Sequence, residues 1–299
     1  MKNNKYYTIA LENMLRTKNS LEDISFLKEG TTDGDSFEYP IESEVLEKYN
    51  LFRKHATIIT STKGDGKIVA VSSDAEAIVM DEGDSYQEDS DTFVETKFNS
   101  FKIGSLAKIK YSFVSDNKFD IKDYLNKEFS RRFGRAEEDL CINGNGLTEP
   151  TGLLTACSTG VTTEALTYDS IVDLFFSVGK EYRNNAVWIM SDETAMELRK
   201  LKDESGTPLW NHNNDTIFGK PVLTTPYMTD DEKKVIFGDL AYYWIIIRKP
   251  LSVKVLKEKY MTTNDIGYAA NERLDAKLVQ DKAIKVLVVS VEEQNQHRP

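Results

Sequence analysis

The chain has 299 residues, of which 38 are basic and 49 acidic, giving a net charge of −11. This length is enough for one or two domains with hydrophobic cores of their own. The acidic balance argues against a protein that holds nucleic acid by bulk charge, because such binding needs a basic surface. The longest apolar run, residues 240–247, is far shorter than the roughly 20 residues that span a membrane.

Residues 1–45 are predicted to form an arm rather than a domain. Apolar residues between Ile9 and Leu27 recur with loose helical spacing, and a polar stretch follows Gly30. A segment of this kind is too small to bury a core. We therefore expect it to order only against a partner, or else to fray as a chain terminus.

Residues 61–100 are predicted to form a long acidic hairpin between two strand patterns. The segment from Ser72 to Glu95 carries nine acids and no base. These acids are Asp74, Glu76, Asp81, Glu82, Asp84, Glu88, Asp89, Asp91 and Glu95. A polar hairpin of this length cannot bury itself and is usually functional, although a solvated loop is the alternative. The strand pattern then resumes and is predicted to continue as far as Phe113.

The clearest helix is predicted from Asp120 to Ile142. Asp120 can cap it, and Ile121, Leu125, Phe129 and Phe133 fall on one apolar stripe. Its other faces carry basic residues, and the run Asn143-Gly144-Asn145-Gly146 ends it.

The remaining chain alternates short helices and strands. Helices are predicted to begin at Thr167 and Ser191, and a buried strand covers residues 186–190. Further strands are predicted at residues 235–237, 242–247, 251–256 and 283–290. The order is not a regular βαβ alternation, so the expected fold class is α+β.

The sequence offers little for catalysis. It has three histidines, and Cys141 and Cys157 lack the grouping of zinc ligands. No complete phosphate-binding loop is present. We therefore predict no enzyme activity and no catalytic, metal-binding or cofactor-binding residues. A metal-dependent soluble hydrolase built on the acidic hairpin is the alternative from a different class.

The order of motifs from the long helix onward resembles the major capsid protein of tailed bacteriophages. The resemblance covers about residues 46–290. It rests on Arg135-Ala136-Glu137-Glu138, Asn143-Gly144-Asn145-Gly146, Pro150-Thr151-Gly152-Leu153-Leu154, the run from Tyr182 to Met190, Gly219-Lys220-Pro221-Val222 and Phe237-Gly238-Asp239. No single motif is decisive, and their joint order carries the likeness.

The resemblance implies a phage major capsid fold with an arm, an extended two-stranded loop, a peripheral domain and an axial domain. The implied parts are the arm at 1–45, peripheral segments at 46–60, 101–150 and 238–280, the extended loop at 61–100, and axial segments at 151–237 and 281–299. Within this fold, Asp120 to Ile142 is similar to the long "spine" helix of the family.

The implied function is a structural protein of the virion. It would self-assemble as hexamers and pentamers into an icosahedral head enclosing double-stranded DNA, without tight or sequence-specific binding to that DNA. Assembly would take place in the bacterial host cytoplasm, with a separate scaffolding protein and a portal as partners and no cofactor. An encapsulin-like compartment shares the fold and is the alternative; particle contents would separate the two.

The family's extended loop lies across an adjacent subunit, near that subunit's spine helix. We therefore expect the acids Asp81, Glu82, Asp84, Glu88, Asp89 and Asp91 to contact basic residues of a neighbour. The expected basic residues are Lys127, Arg131, Arg132 and Arg135. The alternative is that both sets of charges face water.

Overall fold

The computed structural model describes most of the chain in detail. The described residues are 11–13, 15–16, 38–41, 43–71, 93–116, 118–202, 206–211, 214–229 and 232–290. The strands are β1 Tyr39–Pro40, β2 Thr57–Thr60, β3 Gly66–Val71, β4 Phe93–Phe98, β5 Phe101–Lys110, β6 Ser158–Thr163, β7 Val187–Met190, β8 Trp210–Asn211, β9 Thr216–Ile217, β10 Lys220–Thr224, β11 Lys233–Gly238, β12 Tyr243–Leu256, β13 Asp265–Leu278 and β14 Ile284–Val289. The α-helices are α1 Ser43–Glu47, α2 Phe52–His55, α3 Tyr111–Ser115, α4 Ile121–Asn143, α5 Leu153–Ala156, α6 Tyr168–Ser177 and α7 Asp192–Lys200. Within these residues, no helix is long and apolar enough to cross a membrane.

The chain divides into two compact units. The first consists of Met1–Lys54, Ser100–Glu138 and Ile247–Leu274. The second consists of His55–Asn99, Asp139–Ile246 and Asp275–Pro299. Both units combine helices with sheet, in agreement with the predicted α+β class.

The first unit packs one face of a sheet against α4. In this sheet the strand order is β1, β12, β13, β5. The β5–β13 pair is antiparallel from Phe101 opposite Leu274 to Lys110 opposite Asp265. The apolar stripe of α4 meets the core face of the sheet, with Phe129 and Tyr268 fully buried.

The second unit is built on a mixed seven-stranded sheet with the order β6, β14, β11, β7, β10, β9, β8. Helix α6 begins where predicted, because Thr167 caps it in a reciprocal pair with Ser170. At the centre of the unit, Trp188 on β7 and Phe237 on β11 are fully buried, with ring centroids 4.0 Å apart.

Three local expectations are wrong. The strand predicted to reach Phe113 stops at Lys110. Lys110 is paired with Asp265, the first residue of β13, and the residues that follow Lys110 form α3. The two strands predicted around Pro250 are one continuous strand, β12. Pro250 lies within β12 and has no N–H, which a strand tolerates at positions where the N–H is not used in pairing. Directly after it, the Leu251 carbonyl accepts a hydrogen bond from the Ile41 amide.

The third correction concerns the arm, part of which packs within its own unit. Leu11 and Leu15 are 1% and 0% exposed in the core of the first unit. The Tyr268 hydroxyl donates to the Leu15 carbonyl at 2.7 Å. Leu11 and Leu15 are therefore buried by residues of the same chain, and this part of the arm needs no neighbouring subunit to bury it.

Candidate functional site

The helix predicted to contact a neighbour is α4, and its position follows from its sequence. Asp120 Oδ1 accepts a hydrogen bond from the Asp123 amide at 2.9 Å, which caps the first turn. Ile121, Leu125, Phe129 and Phe133 are no more than 1% exposed. Burial of this stripe directs the basic residues of the helix away from the core.

Three of the four predicted basic residues are bonded to acids of the same helix. Lys127 Nζ lies 2.8 Å from Asp123 Oδ2, and this bond raises the pKa of the exposed lysine. Arg131 and Arg132 both bind Glu128, at 2.9 and 2.8 Å. Partial burial of Glu128 opposes its ionisation, but the two arginines outweigh burial and lower its pKa.

Arg132 also has a structural role inside the unit. Its Nη1 donates to the Ser105 hydroxyl at 3.2 Å and to the Leu106 carbonyl at 3.3 Å, both on β5. Arg135, in contrast, is exposed and forms no ion pair within the described residues. The four predicted bases and the two acids together carry a net charge of only +2. Arg135 is therefore the member of the set best placed to meet an acidic partner.

The acidic hairpin is described only at its base. Strands β3 and β4 pair antiparallel, with Val71 opposite Phe93. Glu95, one of the nine acids, forms an ion pair with Lys67 across this ladder. The predicted contact residues Asp81, Glu82, Asp84, Glu88, Asp89 and Asp91 lie outside the described residues, so their role as a contact stays a prediction.

A second basic surface in the first unit was missed by the analysis of spacing. It is the face of the β1–β12–β13–β5 sheet that points away from α4, and we call it the basic sheet face. Its basic residues are Lys102, Lys108, Lys110, Lys249, Lys254 and Arg273. With Asp265 and Glu38, which bind Lys108 and Lys249, they carry a net charge of +4.

The basic sheet face contains an unfavourable pair. Lys102 and Arg273 are directly opposite in the β5–β13 register, and neither forms an ion pair within the described residues. Like charges opposite each other destabilise a sheet. The sequence of β5 does carry a signal for this face, because every second residue from position 102 onward is exposed and three of these residues are lysines. They are Lys102, Lys108 and Lys110. Counting charges by segment, rather than by strand face, hid it.

The described residues offer no site for metal chemistry. They contain no group of three or more His, Cys, Asp or Glu side chains placed to hold a metal ion. Within the described residues, Cys141 and Cys157 form no disulfide. The candidate site described above therefore consists of the charged surfaces of the first unit.

Comparisons with known proteins identify the family and the fold of this chain. A model of the phage capsid family matches residues 40–289. The capsid of an empty GTA particle is 24% identical, with a TM-score of 0.69, over 87% of this chain and 95% of that one. A Gordonia phage Cozz structure is 14% identical (TM-score 0.61, covering 91% and 94%), and a virus-like particle from Pyrococcus furiosus is 12% identical (0.57, covering 82% and 95%). No curated protein sequence gives a significant match.

The class of protein follows from the match to the family model. The chain belongs to the phage capsid family, because the family model covers most of its length. It is a structural major capsid protein, a component of the virion shell.

Proposed function

We propose that this chain self-assembles into an icosahedral head shell around double-stranded DNA in the cytoplasm of its bacterial host. A separate scaffolding protein and a portal are its proposed partners. The observation that carries the proposal is the family match over residues 40–289. It is supported by the acidic balance of the chain, which lets a packaged polyanion slide along a wall that does not hold it.

The two compact units fit the two domains of such a shell subunit. The first unit, with α4 and the sheet of β5, β12 and β13, is proposed as the peripheral domain together with the arm. The second unit, with the seven-stranded sheet, is proposed as the axial domain, and the β3–β4 hairpin as the extended loop.

Assembly is the direct test of the proposal. Purified protein is expected to form rings or closed shells with obligate-size contacts, of more than about 2,000 Å² buried area. Electron microscopy and sedimentation velocity would measure this. A strictly monomeric profile at every salt and protein concentration would contradict it. The nucleic acid or protein content of the particles would separate a head from an encapsulin-like compartment.

We further propose that the acidic segment of one subunit contacts a basic surface of its neighbour. Two surfaces are available, α4 and the basic sheet face, and they differ in the charge left unpaired. Exposed pairs contribute only about 0.2–1 kcal/mol each. The expected role of the contact is therefore to speed docking and to set register, and assembly should slow as salt rises.

Charge reversal can tell which surface is used. Changing Asp81, Glu82 and Asp84 to Lys should slow assembly, measured as the rate of increase in light scattering. One neighbour variant is Lys127→Glu/Arg135→Glu on α4; the other is Lys102→Glu/Lys110→Glu on the sheet. Arg131 and Arg132 are kept, because reversing them would place charge against the partly buried Glu128.

The surface that meets the acidic segment is identified by rescue. Combining its variant with the acidic-segment variant should restore part of the lost rate, whereas the other combination should not. The proposed contact would be disproved if all three variants assembled at the wild-type rate.

A further inference from the structure

A cluster of buried charged residues lies inside the first unit, apart from both basic surfaces. Glu272 on β13, Glu137 on α4 and Arg53 on α2 are 0%, 1% and 8% exposed. Arg53 donates twice to Glu137, from Nε at 2.6 Å and from Nη2 at 2.5 Å. Asn50 Nδ2 adds a third bond at 2.8 Å. The Glu137 carboxyl group therefore accepts hydrogen bonds from three N–H donors, two of them from a charged group.

Glu272 lacks comparable partners. Its Oε2 is 3.6 Å from Arg53 Nη2, which is too far for a hydrogen bond. Neither of its carboxyl oxygens receives a donor from the described residues. Glu137 and Arg53 are the charged groups that act on it, and the residue opposite it on β5 is the apolar Ile103.

One guanidinium thus stands against two buried carboxyl groups. A second carboxylate at this place would be an uncompensated charge out of water, which costs far more than a neutral carboxylic acid. Two carboxyl groups that share a site do not both ionise readily. If Glu272 is protonated, only one carboxylate stands against the guanidinium. The O–H of Glu272 can then donate a hydrogen bond to the neighbouring Glu137.

We propose that Glu272 holds a proton at neutral pH, shared with Glu137, and that this proton makes the first unit a pH-sensitive element of the subunit. Loss of the proton places two negative charges against one positive charge between α4 and β13. The contact between helix and strand is then weakened. The proton chemistry belongs to the chain itself; only its effect on a particle rests on the proposed function.

The direction of the pH dependence follows from linkage. Burial raises the pKa of Glu272 well above its ordinary value, and Glu137 raises it further, while Arg53 acts the other way and does not cancel them. The folded chain therefore keeps a proton that the unfolded chain releases above about pH 4.3. The stability linked to this proton is fully present below that pH. It is lost as pH rises towards the folded pKa, by at most tenfold in the unfolding equilibrium constant per pH unit.

Glu272→Gln tests the proposal, because glutamine has the shape of the protonated acid and does not titrate. Urea unfolding of the unassembled full chain would be measured from pH 6 to pH 9. The unfolding equilibrium constant of each protein would be plotted against pH. At pH values below the pKa of Glu272 in the folded chain, the wild-type constant should rise more steeply than that of the variant, by up to an extra tenfold per pH unit. Equal pH dependence in the two proteins would overturn the proposal.

A matched control is Glu38→Gln in the same unit. Bonds from Lys249 and Ser252 outweigh the partial burial of Glu38 and lower its pKa. Glu38 is therefore ionised in both folded and unfolded chains above pH 6, and its variant should keep the wild-type slope. A lost slope in this control would show that any carboxyl removal has the effect, which would also count against the proposal.

Infrared spectroscopy supplies a readout that does not depend on unfolding. The wild type at neutral pH should show the carbonyl stretch of a protonated carboxyl group that is missing from Glu272→Gln. Glu137→Gln should also lose it, because Glu272 then has Arg53 to itself and ionises. Absence of the band from the wild type would contradict the shared proton. Failure of the protein to form shells would contradict the proposed function and leave this result intact.

Discussion

Replacing Arg53 with methionine is expected to destabilise the first unit by about 3–5 kcal/mol. Arg53 donates two hydrogen bonds to Glu137, which is 1% exposed. Methionine fills a similar volume but donates nothing, so the buried Glu137 carboxyl group would lose both guanidinium donors and keep only the Asn50 amide and the proton proposed on Glu272. The free energy of unfolding from urea titration, at constant pH, would measure the loss.

Two further variants make this prediction specific. Arg135→Met carries the same substitution at an exposed arginine without an ion pair in the described residues, and should change stability by no more than about 0.5 kcal/mol. Arg53→Met/Glu137→Gln removes the unpaired charge along with its partner and should recover most of the loss. If the double variant were as unstable as Arg53→Met alone, the loss would come from packing and not from the buried charge.

The long helix shows what local sequence rules determine. The cap at Asp120 and the stripe of Ile121, Leu125, Phe129 and Phe133 predicted a helix over residues 120–142, and the structure has Ile121–Asn143. Capping and helical periodicity depend on residues within a few positions of each other, so one sequence is enough to predict them.

Features set by strand register could not be predicted in this way. The triplet Asn271-Glu272-Arg273 reads as a polar surface segment, but pairing of Glu272 with Ile103 places the glutamate on the core face. The same register places Arg273 beside Lys102 on the opposite face. The two faces follow from which residues of β5 and β13 are partners, and these are more than 150 positions apart in sequence.

The candidate site likewise has one part that local spacing predicts and another that depends on strand register. The four bases on α4 were found because they share a helix, and their partial neutralisation by Asp123 and Glu128 follows from spacings of three and four residues. That neutralisation can be predicted from the sequence alone. The basic sheet face needed the register, and the tip of the acidic hairpin lies outside the described residues.

Arg16 attaches the described part of the arm to the rest of the first unit. Arg16 is only 4% exposed, so its charged guanidinium needs partners inside the protein. It donates to the carbonyls of Val114 at 3.0 Å, Asp116 at 2.6 Å and Phe119. These carbonyls lie at the end of α3 and in the turn before α4, where helix geometry leaves acceptors without intrahelical donors. The charge of Arg16 is balanced by Glu12, 3.0 Å away.

Arg16→Met is therefore expected to cost about 3–5 kcal/mol, because bonds from a charged donor contribute about 1.5–3 kcal/mol each and do not add fully. Three carbonyls would lose their shared donor, and Leu11 and Leu15 would lose the bond network that holds them in the core. The free energy of unfolding in urea measures the effect, with Arg135→Met as the matched control for the loss of an arginine. A loss no larger than that of the control would show that Leu11 and Leu15 alone hold the arm. A large loss would mean that the bonds of Arg16, and not only the burial of Leu11 and Leu15, attach this part of the arm to the core of the first unit.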